Sequence, residues 1–329
     1  MRSVSYTNAP PTSAARAAIT RLWQASPPLT AVGLLMVVVS MLSAIGIFTD
    51  PRIITGASAW LKPFKFAISA AIYMLTLAWV FQWLTDSPRL RRVAGWTTAI
   101  VFVLEVGIVD VQAWRGTTSH FNVSTPLNIA LFAVMGIAIM VQTAASVAVA
   151  VALWRQRFAD RALGWALRFG MTLTIVGALV GPLMTRPTAN QLAVARAGGG
   201  IPTVGAHTVG AADGGAGIPV TGWSREHGDL RVPHFVGLHA LQVFALVAVA
   251  LGRWRRPEST RVRATFAIAI SYAALFVLLL LGALQGQSVL APDPSALGAL
   301  GAWATLTVLA LGWIALQSRG TSREAAVTA

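Results

Sequence analysis

The chain has no cysteine, which removes disulfides, thiolate ligands, thiol nucleophiles and fully cysteine-ligated iron–sulfur clusters. Any bound metal must therefore use histidine, carboxylate or amide ligands. Charge is scarce too: 11% of residues are charged, against about 25% in soluble domains. Only 11 residues are acidic, and Lys62 and Lys65 are the only lysines. A nucleotide-binding Gly-Lys-Ser/Thr signature is also missing.

Hydrocarbon takes the place of charge. The chain is 56% hydrophobic with a mean hydropathy of +0.67. Runs of about 20 apolar residues are the length a helix needs to cross a bilayer. Eight can be read: Leu29–Phe48, Phe64–Leu84, Trp96–Trp114, Leu127–Trp154, Trp165–Met184, His234–Leu251, Ala264–Leu284 and Leu297–Leu316. An unpaired backbone cannot cross lipid, so the expectation is an all-α polytopic bundle. With a cytoplasmic N-terminus, 17 of the 25 basic residues fall in cytoplasmic segments, the positive-inside pattern. The net charge of +14 then reports topology in a bacterial cytoplasmic membrane, with both termini cytoplasmic, and implies membrane lipids rather than nucleic acid as surroundings. The layout is a basic tail (1–28), a first half (29–154), a second half (165–316) and a short tail (317–329).

Pairs of short matches suggest a tandem 4+4 repeat. Thr49-Asp50-Pro51 answers Thr185-Arg186-Pro187, and Pro63-Phe64 answers Pro233-His234-Phe235. Gln112 answers Gln285 at the ends of the third and seventh spans, and Pro126 answers Pro294. The second half carries an extra Gly-rich outer loop (188–228), with Gly198-Gly199-Gly200 and Gly214-Gly215-Ala216-Gly217. Such glycine density predicts a flexible loop or lid.

Glu105 and Asp110 are the two acidic residues inside an apolar stretch. Ionisable groups in hydrocarbon are costly and usually mark function. The third span runs outward, so Asp110 lies about 8 Å and Glu105 about 15 Å below Arg115, at 1.5 Å per residue. The sixth runs inward and puts His239 and Gln242 about 12 and 16 Å below Arg231. Lys65, Ser69 and Tyr73 form a polar stripe on the second span. Glu105 and Asp110 are about 140° apart around the helix, whereas Glu105 aligns with Gln112 seven residues on. Glu105, Asp110 and His239 are the expected catalytic groups. Lys65, Tyr73, Gln112, Arg115, Arg231, Gln242 and Gln285 are the expected substrate contacts.

Two cofactors are compatible with these residues. A metal ion would use His239 and Glu105, with His234 from an irregular helix start, although His234 and His239 lack the four-residue offset of helical zinc motifs. Haem would need two facing histidines at one depth among His120, His234 and His239.

At Trp60-Leu61-Lys62-Pro63-Phe64-Lys65-Phe66, around Trp114-Arg115-Gly116 through His120-Phe121-Asn122, and along Gly228–Gln242, the chain resembles bacterial multi-pass membrane proteins of uncharacterised function. That resemblance implies no activity and assigns no catalytic residue. The polar residues themselves point to a membrane-embedded enzyme acting on a lipid or other amphipathic substrate at the outer face. The alternatives are a proton-coupled carrier, with Glu105 exchanging the proton, and a non-catalytic sensor or assembly factor. Few polar residues, chiefly Gln82 and Gln142, lie in the inner halves of the spans, which favours a one-sided site.

Overall fold

The computed structural model describes residues 11–327, with side chains described for 14–318. It is an all-α bundle. The elements are α1 (Pro11–Ala25), α2 (Pro27–Thr49), the hairpin β1 (Ile53–Ile54) and β2 (Ala57–Ser58), α3 (Leu61–Phe81), α4 (Pro88–Trp114) and α5 (Pro126–Arg155). There follow α6 (Arg161–Ala178), α7 (Gly181–Met184), α8 (Ala189–Arg196), the paired strands β3 (Thr208–Val209) and β4 (Gly228–Asp229), and α9 (Arg231–Leu238). The chain continues through α10 (Ala240–Arg253), α11 (Glu258–Leu284) and α12 (Pro294–Val327). Among the described residues seven helices are long and apolar enough to cross a membrane, or eight when the bent pair α9–α10 counts as one span.

Local chemistry sets the helix starts. Proline occupies the first turn of α2, α4 and α5, where its missing N–H is no loss. Thr125 caps α5 by accepting from the Asn128 N–H, and Asp160 caps α6 through the Ala162 and Leu163 N–H groups. Within the described part of the expected tails, α1 packs on α2 and α3, and the last span continues as α12 to Val327.

Two helices end where hydropathy does not. The fifth span was expected to reach Met184, but α6 stops at Ala178. There it crosses α9 glycine on glycine: a Cβ built on Gly177 would lie 2.4 Å from Gly237 Cα. Removing side chains is how membrane helices bring backbones this close. The sixth span breaks at His239 with a 41° bend. A break inside hydrocarbon frees backbone groups that must be paired. Here the Leu241 N–H donates to Thr174 Oγ1 (3.0 Å), and the Tyr272 hydroxyl donates to Val236 O (2.5 Å).

The helices fall into two groups of four spans. In the first, α2 packs on α3 and α4, α3 on α4, and α4 on α5. In the second, α6 packs on α9–α10 and α11, α9–α10 on α11, and α11 on α12. Corresponding spans therefore have corresponding neighbours. The groups meet where α5 packs on α6 and α3 on α10.

One end of the bundle is covered. The segment from Thr185 to Leu230, which contains the loop or lid expected over 188–228, is stitched to its surroundings by backbone hydrogen bonds. Val123 N donates to Pro202 O, Val204 N to Phe121 O, Leu230 N to His207 O and Gly228 N to Gly286 O. Glycine gives the turns their left-handed conformations, as at Gly205 (φ 101°), whose own Cβ would strike Met184 O. We call this segment the cap, and the ends of the bundle the capped and basic ends.

Candidate functional site

Beneath the cap the bundle presents its densest group of polar side chains. Lys62 and Lys65 stand in the first two turns of α3, half-buried. The Lys62 ammonium donates to His120 Nδ1 (3.1 Å) and lies 5.5 Å from the Phe66 ring centre. Lys65 donates to the Thr221 carbonyl of the cap (2.6 Å). Among the described residues neither lysine has a carboxylate within salt-bridge distance. The next carbonyl, Gly222 O, accepts from Arg231 Nη2 (2.7 Å). One cap turn thus offers adjacent carbonyls to two cations. Arg231, unlike the lysines, is neutralised: it forks onto Asp229, with Nη2–Oδ2 2.6 Å and Nε–Oδ1 2.9 Å.

His120 reaches this cluster because the α4–α5 loop turns back into the bundle. Its ring lies edge-on to Phe66 (5.4 Å) and to Phe121 (6.2 Å). From the cap, His207 packs on Phe121 (4.8 Å) and its Nδ1–H donates to Asp213 Oδ2 (2.6 Å). Asp213 also accepts the backbone N–H of His207 and of Thr208. This leaves His207 Nε2 as the free, basic nitrogen of an oriented imidazole.

Burial, reinforced by the nearby Lys62 charge, holds the His120 pKa well below the ordinary value. Burial also lowers that of His207, outweighing the opposite pull of Asp213. For Asp213, burial pushes upward but the His207 hydrogen bond prevails and the carboxyl is held low. The consequence has a definite sign. A neutral imidazole that resists protonation stabilises the closed cap fully above the ordinary histidine pKa of about 6.5, and that stability is lost as pH falls below it. Hydrogen exchange at the Val204 and Leu230 amides, corrected for intrinsic rates, should stay protected near neutrality and lose protection between about pH 6.5 and 5. Asparagine at 120 and 207 should flatten the profile; a flat profile in the unaltered protein sinks the argument.

Glu105 lies deeper, in a ladder between α4 and α5. The Gln112 amide donates to Asn128 Oδ1 (3.0 Å), and Arg115 Nη1 donates to the same oxygen (3.1 Å) and to Gln112 Oε1. Moving seven residues along each antiparallel helix sets Glu105 level with Met135, and seven more sets Thr98 level with Gln142. A seven-residue stripe keeps one seam facing its partner over several turns. Glu105 is 3% exposed, and its Oε1 has no hydrogen-bond partner. Lys62 is within electrostatic reach. On the lowest of these rungs the Tyr73 hydroxyl meets Ser146 Oγ (3.2 Å) and the Gln142 amide (3.4 Å). Below that, Leu77, Phe81, Leu84 and Leu153 are fully buried and close the basic end with hydrocarbon.

The expected site residues therefore divide. Lys65 and Arg231 meet beneath the cap, whereas Glu105, Gln112 and Tyr73 line the polar seam of α4 with α3 and α5. Arg115 is exposed above that seam. Asp110 points elsewhere, on the flank of α4 opposite Gln112, with Oδ1 buried and unpaired. Gln242, three residues after the helix break, is within hydrogen-bonding reach of the His239 ring. Gln285 lines a separate cleft of about 200 Å³ between the capped ends of α11 and α12, beside Gln287 and Asp229. His234 donates from Nδ1 to Gly177 O (2.8 Å), and His239 sits at the helix break against Phe235 (4.2 Å). Among the described residues no group of three or more histidine or acidic side chains is placed to hold a metal ion. His120, His207 and His234 are within electrostatic reach of one another.

Sequence reasoning passed over Asn128, Ser146, His207 with Asp213, and Asp229 as the partner of Arg231. Asn128 carried a usable signal, three residues after a Thr-Pro helix start. The His207–Asp213 pair had none, because a glycine-rich segment has no periodicity to read. No protein-family model, no curated protein and no solved structure matches the chain, so function rests on this geometry.

Proposed function

We propose that the protein is a membrane-embedded enzyme that takes an amphipathic substrate with an anionic, phosphate-like head group at the capped end, the extracytoplasmic side of a bacterial cytoplasmic membrane. The observation that carries this reading is the state of Lys62 and Lys65. Lys62 stands in the first turn of α3 and Lys65 at the start of the second, near the positive end of the dipole, which opposes cations. Both are half-buried with only neutral acceptors, His120 and the Thr221 carbonyl. An anion between them relieves that repulsion. His207, oriented by Asp213, supplies the base, and Glu105 lies below as the second protonatable group.

The fully buried apolar layer around Phe81 and Leu153 counts against the carrier reading, which needs a polar route to the other face. The matching neighbours of the two four-span groups support a tandem duplication, with the cap as an addition to the second copy.

Titration calorimetry with dihexanoyl phosphatidic acid in neutral detergent tests the anion site. The Lys62→Gln/Lys65→Gln double variant should bind at least about tenfold more weakly, the loss of one or two charge-assisted contacts. His207→Ala should retain binding but lose turnover of a membrane lipid extract followed by mass spectrometry. Unchanged binding in the folded lysine variant refutes the head-group assignment. Unchanged turnover in the histidine variant refutes the catalytic one.

A further inference from the structure

A second lipid-facing feature lies on another side of the bundle. Along α4, between α2 and α5, runs an apolar groove of about 590 Å³ lined by Val32, Trp96, Ile100, Leu104, Gly107 and Leu131 among others. Its α4 residues run from Trp96 to Val111, about 22 Å at 1.5 Å per residue. That exceeds half the roughly 30 Å hydrocarbon core, so a chain entering from the capped end stays in the groove to its tip. Gly107 deepens the middle: nothing lies within 4 Å of a Cβ built there.

What stands at the top of the groove decides its occupant. Ile100, Leu104, Ile108, Val111 and Arg115 follow at offsets of four, four, three and four, which places them on one stripe of the helix. Arg115 is therefore the next residue of the groove's own face, one turn above its apolar lining. It is exposed, and only the amide oxygens of Gln112 and Asn128 hold it. Among the described residues no carboxylate pairs with it. Asp110, the nearest acidic residue along the helix, is about 140° around α4 from Arg115, at the far edge of the groove in line with Val103 seven residues before it. Trp114, 70% exposed, stands beside Arg115, and tryptophan collects at head-group level.

We propose that this groove with Arg115 is a binding site for an anionic phospholipid, one acyl chain lying along α4 and the phosphate on the guanidinium. Arg115 serves better than a lysine would, because its planar fork meets two phosphate oxygens at once. The site is independent of the lysine cluster, which belongs to the first two turns of α3 and the underside of the cap.

Native mass spectrometry of the delipidated protein titrated with dioleoyl phosphatidylglycerol and dioleoyl phosphatidylcholine tests it. The unaltered protein should prefer the glycerol lipid. Arg115→Gln should reduce that preference about tenfold, the worth of one charge-assisted contact, while phosphatidylcholine binding is kept. Gly107→Leu, whose Cβ meets open space, should lower retention of both lipids by blocking the chain while the melting temperature is kept. In the Lys62→Gln/Lys65→Gln background, where the capped site is removed, Arg115→Gln should still lower the remaining preference by the same factor, which separates this site from the capped one. Unaltered preference in Arg115→Gln, or unaltered retention in Gly107→Leu, overturns the proposal. A loss of preference in the lysine variant instead of Arg115→Gln would assign the head group to the cap.

Discussion

Replacing Arg231 by alanine is expected to destabilise the capped end by about 3 kcal/mol, at the lower end of the cost of stranding a buried charge. Asp229 is 3% exposed and receives both prongs of the Arg231 fork. Truncation removes the charge partner but spares two backbone donors, Ser224 N (2.8 Å) and Arg231 N (2.9 Å), which is why the cost stays near the lower end. It also releases Gly222 O, so the cap loses its hold at the turn that carries Thr221. Arg231→Lys keeps the charge without the fork and should fall between the two. Adding Asp229→Asn to Arg231→Ala should recover part of the loss by removing the stranded charge. Limited proteolysis of the cap and thermal unfolding in detergent measure both effects. Equal cap protection in Arg231→Ala and the unaltered protein would show that Asp229 is hydrated and the pair dispensable.

Gly177→Ala should be as damaging, although it adds a single methyl group. The new Cβ would lie 2.4 Å from Gly237 Cα and 2.6 Å from Leu238 N. Both are backbone atoms, so no side chain can swing aside and the helices must separate. Overpacking usually costs about 1–3 kcal/mol, and this contact belongs at the top of that range. Separation also strains the His234–Gly177 hydrogen bond and the Thr174 and Tyr272 contacts that pair the broken backbone at His239. Gly136 supplies the control. It faces outward on α5 with nothing within 4 Å of a Cβ, so alanine there should be neutral or gain up to about 1 kcal/mol from helix propensity. Similar melting temperatures for the two variants would contradict the close crossing.

These two glycines also mark where sequence reading stops. Eight apolar stretches were legible because hydrocarbon demands long uninterrupted runs, and most helix ends fell within a few residues of expectation. The end of α6 and the break at His239 were not, because the residues stay apolar through both. What interrupts the helices is a crossing partner, and hydropathy along one chain does not record partners. The same limit divides the site. That Glu105 and Gln112 share a face followed from their seven-residue spacing, and the structure buries both. That Asn128 answers Gln112, or that Tyr73 answers Ser146, depends on which helices are neighbours. The Lys65–Ser69–Tyr73 stripe was visible on α3, yet its two ends have different partners, a cap carbonyl and an α5 hydroxyl.

The cap has a consequence for biogenesis. Its backbone partners come from both sides of it in the chain: Phe121 and Val123 precede it, while Gly286 and the Ser288 hydroxyl, which donates to Ser224 O (3.4 Å), follow it. When the ribosome has finished residue 230, the carbonyl that Gly228 needs has not been made. It becomes available only once α11 has been synthesised, so the segment, although Phe121 and Val123 can already pair with it, stays incompletely closed while two more spans are made. Contacts of such sequence separation form late because the intervening loop must close first. The edge of the cap at Ser224 and Gly228 is therefore completed late, after the rest of the cap has found its partners. A chain truncated after α10 would carry a complete first group of spans and a cap held by Phe121 and Val123 but open at Ser224 and Gly228, the edge at which a protease would enter.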